Sequence, residues 1–183
     1  MNLFFRFIIL LLTRLIIKKP QGPFDPCTSR FIVNPMDLDL NFHMNNGRYF
    51  SIMDLGRIDL MIRAGIFWKL FRQGYYPVVT SESIRFRRSL QLFERFEMIS
   101  HIESWDDKDF YMTQKFMKGG HIIAEGSIKG RFKQRGKGSS STSATFAAMN
   151  IPYEERELSE LAKSQKQIEK LLAVPPQEKE QSK

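Results

Sequence analysis

Cys27 is the only cysteine in the chain, so no internal disulfide can form and no thiolate-built metal cluster is available. Such usage fits a reducing compartment. The chain also lacks a GxSxG nucleophile elbow, a P-loop and a dinucleotide fingerprint, so no cofactor and no metal is called for. Acidic residues are in deficit, 20 against 28 basic ones, which leaves a net charge of +8. A surplus of that size points to nucleic acid, an anionic membrane or a small polyanion such as coenzyme A. Nucleic acid is set aside because the sequence carries neither an RNA-binding motif nor an aromatic platform. With 42% hydrophobic residues in 183, there is enough apolar material for one sizeable core with appendages.

Long apolar runs are absent except at the start. Residues 3–17 are nearly all Leu, Ile and Phe, interrupted by Arg6 and Arg14. The run is short for a span of about 20 residues, and it has no small-x-small cleavage site. At 100° per residue, Asn2, Arg6, Thr13, Arg14 and Lys18 gather on one side. That pattern suits a helix lying in a membrane interface, a helix covering an apolar face of its own protein, or a short span. If the segment spans, Lys18 and Lys19 put the following domain on the cytoplasmic side; in each case the expected location is cytoplasmic, free or at the cytoplasmic face of a membrane.

The remaining chain divides by its punctuation. Residues 1–19 form the apolar N-terminal helix, and Pro20, Gly22, Pro23 and Pro26 mark a linker over 20–28. A domain follows at 29–133, then a linker at 134–152 around the Gly- and Ser-rich stretch 136–143. A C-terminal helix is expected over 153–174, with Leu158, Leu161, Ile168, Leu171 and Leu172 as its apolar side, and a disordered tail over 175–183. Inside the domain, 29–34 reads as a strand ended by Pro35 and 45–65 as a long helix burying Phe50, Met53, Ile58, Met61 and Ile62. A shorter helix over 66–72 is closed by Gly74. From Pro77 the period changes to two, which predicts an antiparallel meander of about four strands with turns at Asp106–Asp107 and at Gly119–Gly120. Ala124, Gly126 and Gly130 are small enough to let the helix lie close to the sheet. The expected class is α+β, a long central helix cradled by an antiparallel sheet, with the apolar N-terminal helix added.

Polar residues concentrate in one place. Between Asp37 and Tyr49 lie Asp39, Asn41, His43, Asn45, Asn46 and Gly47, in the loop that enters the long helix. One helix cap needs one or two such residues, not six. The order Asp39-Leu40-Asn41-Phe42-His43-Met44-Asn45-Asn46 resembles the D-x-N-x-H-V-N-N motif of plant acyl-ACP thioesterases. Asp39 with Tyr49 ten residues on resembles the bacterial 4-hydroxybenzoyl-CoA thioesterase and YbgC-like hot-dog group. The wider match, 30–49, then 83–94 and 105–111, is similar to the mammalian thioesterase-superfamily-member-six group and its bacterial relatives.

That resemblance implies a hot-dog fold, a homodimer or tetramer formed by joining two sheets into one, an active site at the dimer interface, and hydrolysis of fatty acyl thioesters of CoA or acyl carrier protein. By motif position it implies Asp39 as the catalytic carboxylate, with Asn41 and His43 completing a polar trio. Asn45, Asn46, Gly47, Tyr49, Arg87 and Arg88 are the expected substrate contacts, the two arginines for phosphate or an acidic carrier surface. The plant enzymes follow their paired arginines with Glu-Cys, whereas Ser89 and Leu90 stand here, so no role is transferred to them. The alternative is a catalytically inactive acyl-thioester-binding or membrane-associated scaffold of the same fold. A peripheral membrane contact through 3–17 is compatible with either.

Overall fold

The computed structural model describes residues 2–16 and 20–172. Helix α1 (Asn2–Ile16) precedes strand β1 (Cys27–Ile32), helix α2 (Asn46–Arg63) and the short helix α3 (Phe67–Arg72). Strands β2 (Tyr75–Phe86), β3 (Arg95–Trp105), β4 (Phe110–Lys118), β5 (His121–Gln134) and the two-residue β6 (Gly138–Ser139) follow, then helices α4 (Thr142–Met149) and α5 (Glu160–Leu172). The sheet is antiparallel in the order β1-β3-β4-β5-β2, with β6 on β5. Thus β3, β4 and β5 form a meander, but β2 crosses to the far edge and pairs with β5 instead of joining β3. Alternation in the sequence reveals strands, not their neighbours, and this crossover lets the sheet wrap α2.

Asn45 caps α2 by accepting the Gly47 N–H at 2.9 Å, and Gly65 at φ 69° ends its last turn. The helix is buried on two sides. Toward the sheet go Tyr49, Met53, Gly56 and Leu60, whereas Phe50, Ile58, Met61 and Ile62 are only half-buried. Close approach is local: a Cβ on Gly126 would sit 2.4 Å from Met53 Cε, and one on Gly56 2.1 Å from Met98 Cε. Gly130 serves another contact, since its Cβ would fall 2.2 Å from the ring of Phe110, its cross-strand partner. A buried polar lock completes the seam: Gln114 Nε2 donates to Met53 O at 3.0 Å and to Ser100 Oγ at 2.8 Å.

The second buried side of α2 meets α1, and there Ile52 and Asp59 lie. Asp59 is fully buried and accepts Arg14 Nε at 2.5 Å, Arg14 Nη2 at 2.7 Å and Ser29 Oγ at 2.7 Å, with Arg63 at 3.2 Å. Arg6 pairs with buried Asp37 and donates to Ile32 O at 2.9 Å. The two arginines that interrupt the apolar run therefore point into the protein. Phe4, Phe5, Ile9 and Leu12 point out, each more than half exposed. Among the described residues no helix is long and apolar enough to cross a membrane.

The C-terminal part differs from expectation. The stretch 134–152, expected as a linker, carries β6 and α4. Ser141 Oγ caps α4 by accepting the Ala144 N–H at 3.1 Å, and Phe146 packs on Phe24, Trp105 and Phe132. Residues 151–159 have no regular structure, so the last helix starts at Glu160 and not at 153. It docks through Ala162 and Gln165, whose Nε2 donates to Ser127 Oγ at 2.5 Å, while Ile168, Leu171 and Leu172 stay exposed. Residues 17–19 and the tail over 175–183 lie outside the described residues.

Candidate functional site

Three segments meet at the start of α2. The first is the loop 38–44, closed by an antiparallel bridge between Leu38 and Met44. The second is the first turn of α2. The third is the connection 87–94 between β2 and β3, which clasps the loop: Leu90 O accepts the Met44 N–H at 2.8 Å, and Gln91 bridges to His43. Val33 and the pair Phe93 and Glu94 exchange backbone hydrogen bonds at 2.9 and 3.0 Å, tying the clasp to the end of β1.

Asp39 sits at the turn of the loop and is half-buried. Its Oδ1 accepts the Asn41 N–H at 2.8 Å and the His43 N–H at 3.4 Å, while its own N–H donates to His43 O at 2.9 Å. One carboxylate oxygen thus shapes the turn. Asn41 is exposed and His43 half-buried on the same loop. The three residues expected as a catalytic trio are held in one five-residue turn by the Asp39 carboxylate. Phe42 closes that turn at φ 59°, and Phe93 in the clasp stands at φ 62°. A left-handed phenylalanine costs about 1–2 kcal/mol, and strain of this kind concentrates at functional sites. Both rings, and Leu40 between Asp39 and Asn41, face solvent at 79%, 63% and 98% exposure, an apolar rim around a polar turn.

Asp37 anchors the loop from behind. It is buried, its Oδ2 accepts the Asn34 N–H at 2.8 Å and pairs with Arg6, and its carbonyl accepts the Asn45 N–H at 2.8 Å. Asp37 therefore caps the short turn that begins after Asn34, and its link to Arg6 has no local signal in the sequence. At the helix start, the Gly47 N–H goes to the Asn45 side chain and the Arg48 N–H to Asn45 O. The Asn46 N–H has no partner among the described residues, and Asn45, Asn46 and Gly47 are exposed. The positive end of the α2 dipole is directed to this point.

Tyr49, expected as a substrate contact, is instead a core residue. It is 1% exposed, packed edge-on against Phe86 at 5.0 Å and Phe116 at 4.9 Å, and burial pushes its phenol up. An amphipathic ring one turn into the helix finds the sheet before it finds solvent. Arg87 and Arg88 are exposed at the end of β2, both N–H groups donating to Ile123 O, with Arg87 3.5 Å from Glu125. Phe86 on Tyr49 brings that end of β2 beside the first turns of α2. No cluster of three or more His, Cys, Asp or Glu is placed to hold a metal ion among the described residues.

Comparison with known proteins agrees with this architecture. The family model described as the thioesterase-like superfamily matches residues 33–176. Protein THEM6 of Xenopus laevis is 44% identical over 86 residues, covering 47% of this chain and 42% of the frog protein. A probable thioesterase of Saccharomyces cerevisiae is 28% identical over 115 residues, covering 61% of this chain and 49% of the yeast protein. The chain therefore spans about half or less of the length of these two relatives. Among solved structures, the DHNA-CoA thioesterase of Staphylococcus aureus superposes with a TM-score of 0.62 at 12% identity, covering 82% of this chain and 97% of that one. The fold is the hot-dog fold of such thioesterases, an α+β arrangement of a helix in a curled antiparallel sheet.

Proposed function

Because the chain belongs to the thioesterase-like superfamily, we propose that it hydrolyses fatty acyl thioesters of coenzyme A or acyl carrier protein at the loop 38–44. The observation that carries this reading is the juxtaposition of a half-buried Asp39 carboxylate, fixed by two backbone N–H groups, with the exposed first turn of α2. Asp39 acts either as the nucleophile on the thioester carbonyl carbon or as the base that takes a proton from the attacking water. The Asn46 N–H and the helix dipole stabilise the oxyanion, and loss of one such donor typically costs about 3 kcal/mol. The thiolate then leaves; where Asp39 is the nucleophile, water next cleaves the acyl–Asp39 anhydride, freeing the fatty acid and restoring the carboxylate. A thiol of pKa about 8.5 is a good leaving group, so no strong general acid is needed. Asn41 and His43 orient Asp39 or the water, and the exposed rings of Phe42 and Phe93 take the acyl chain or a partner subunit.

Two further features support the rest of the expectation. Strand β2 is a 12-residue sheet edge with a largely exposed burial pattern, which suits a homodimer built by pairing edges. The outward stripe of Phe4, Phe5, Ile9 and Leu12 suits peripheral contact with a membrane interface. A non-catalytic scaffold is favoured by one observation, that the Asp39 carboxylate already serves the turn. Thiol release by the full chain from acyl-CoAs of graded length, then from acyl carrier protein thioesters, separates the two. Turnover that drops about a hundredfold or more in Asp39→Ala supports hydrolysis. No release from either substrate class refutes it. Label found in Asp39 after a single turnover in labelled water then identifies the nucleophile, since it enters only when water cleaves an acyl–Asp39 anhydride at the aspartyl carbon.

A further inference from the structure

A groove of about 840 Å³ lies between α1 and the β1 edge of the sheet and reaches the turn at Gly119–Gly120. We propose that it is a second binding site, for a single-chain amphiphile with an anionic headgroup. None of residues 37–47 lines it, so it is separate from the loop of Asp39 and does not depend on hydrolysis there.

The lining has the two parts such a ligand needs. Ile9 and Leu10 of α1, Phe31 and Ile32 of β1, Ile99 of β3 and Met117 of β4 make an apolar trough. Its size falls within the range of small-molecule sites, about 300–1,000 Å³. Around it stand Arg30, Arg95 and Lys118. Register puts Ile32 opposite Arg95 and Arg30 opposite Glu97, so apolar and cationic side chains alternate at one stretch of the sheet surface. Arg30 and Lys118 form solvent-exposed pairs with Glu97 and Glu94. Such pairs contribute about 0–1 kcal/mol and yield readily to a better anion. Arg95 is exposed and makes no ion pair among the described residues. The other charges along the groove are engaged inward, Arg6 with Asp37 and Arg14 with Asp59. What faces a ligand is therefore a positive rim over an apolar floor.

The groove wall is also fixed in advance. Arg14 reaches fully buried Asp59, and Arg6, about two turns earlier in α1, reaches buried Asp37, so the helix holds its place before any ligand arrives. A preformed wall lowers the ordering cost of binding. A nucleic acid or an acidic peptide would match the rim but leave the trough unfilled, whereas an acyl tail fills it.

The test uses the full chain and fluorescence of cis-parinaric acid, displaced in turn by palmitate, palmitoyl-CoA and hexadecanol. Displacement by palmitate or palmitoyl-CoA, about tenfold better than by hexadecanol, is expected, and the better of the two identifies the headgroup source. Ile99→Trp fills the trough and Arg95→Glu reverses the rim; each is expected to weaken binding about fivefold or more. Thiol release by Arg95→Glu, followed in parallel, keeps this result apart from the assay at Asp39. Because Arg95 is exposed, Arg95→Glu remains decisive even if Ile99→Trp lowers the melting temperature. Binding unchanged in both variants, or no displacement by any amphiphile, overturns the proposal. So does a change of oligomeric state in Ile99→Trp without amphiphile binding, which would assign the groove to a second copy of the chain.

Discussion

Replacing Arg14 with Met removes the bidentate partner of a carboxylate that water cannot reach. Asp59 keeps Ser29 Oγ at 2.7 Å and Arg63 at 3.2 Å but loses its two shortest hydrogen bonds. Breaking a buried pair typically costs about 3–5 kcal/mol, and with Arg63 still present the lower end, about 3 kcal/mol, applies. For a chain of this size that corresponds to a melting temperature lower by roughly 6–12 °C. The pH dependence gives a second, independent reading. Burial alone pushes the Asp59 carboxyl up; in the wild type the hydrogen bonds from Arg14 and Ser29 and the charges of Arg63 and Arg14 outweigh it and hold the group below its ordinary range. A depressed carboxyl stabilises above its unfolded pKa, about 3.9, and that contribution is lost as pH falls through the folded value. In Arg14→Met burial gains weight and the carboxyl rises, so the penalty is full at neutral pH and shrinks as Asp59 protonates toward pH 4 and below. Urea denaturation of both proteins at pH 7 and pH 4 measures the gap. A gap under about 1 kcal/mol at pH 7, or one equal at both pH values, refutes the assignment of Arg14 to Asp59.

Gly130→Ala places a Cβ inside the Phe110 ring envelope; a stiff ring cannot yield as a methionine end does, so a loss of about 1–3 kcal/mol is expected in the same urea assay. Gln114→Leu removes the donor shared by Met53 O and Ser100 Oγ and the acceptor of Arg57 Nη1 at the α2–sheet seam. A loss of about 1–3 kcal/mol is expected, together with faster amide exchange around Met53. Cys27 is buried beside Asp59, and burial first, then that charge, pushes its thiol up to about 11. A disulfide reagent at pH 8 is therefore expected to titrate no thiol until the chain unfolds, and fast native-state labelling would contradict the burial of β1. The same inertness leaves thiol-release assays without background from the protein.

How far the sequence carries can be seen residue by residue. The alternation of Phe96, Met98 and Ile102 with Glu97, His101 and Glu103 marks β3 because strand sides alternate, and the paired glycines at 119 and 120 mark its neighbour's turn. The loop of Asp39 is legible because six polar residues before a helix exceed what capping needs. Strand order is not legible, since β2 and β3 carry the same period whichever strand they join. The role of Arg6 and Arg14 is not legible either: a positive charge every second turn looks the same whether it faces water or a buried carboxylate. Asp59 gave the available hint, as an acid four residues from Arg63 within the apolar register of α2. Tyr49 was displaced from the site to the core because sequence spacing does not tell which side of a half-turn meets the sheet.

The family match begins at residue 33, yet two carboxylates within it are neutralised from residues 6 and 14. The unit recognised by similarity is therefore smaller than the unit that folds. A chain started at the linker would keep every motif while taking Arg6 away from Asp37 and Arg14 away from Asp59, and it would uncover the strip of α2 around Ile52. For this protein, the apolar segment ahead of the linker behaves as a structural cofactor encoded in the chain itself.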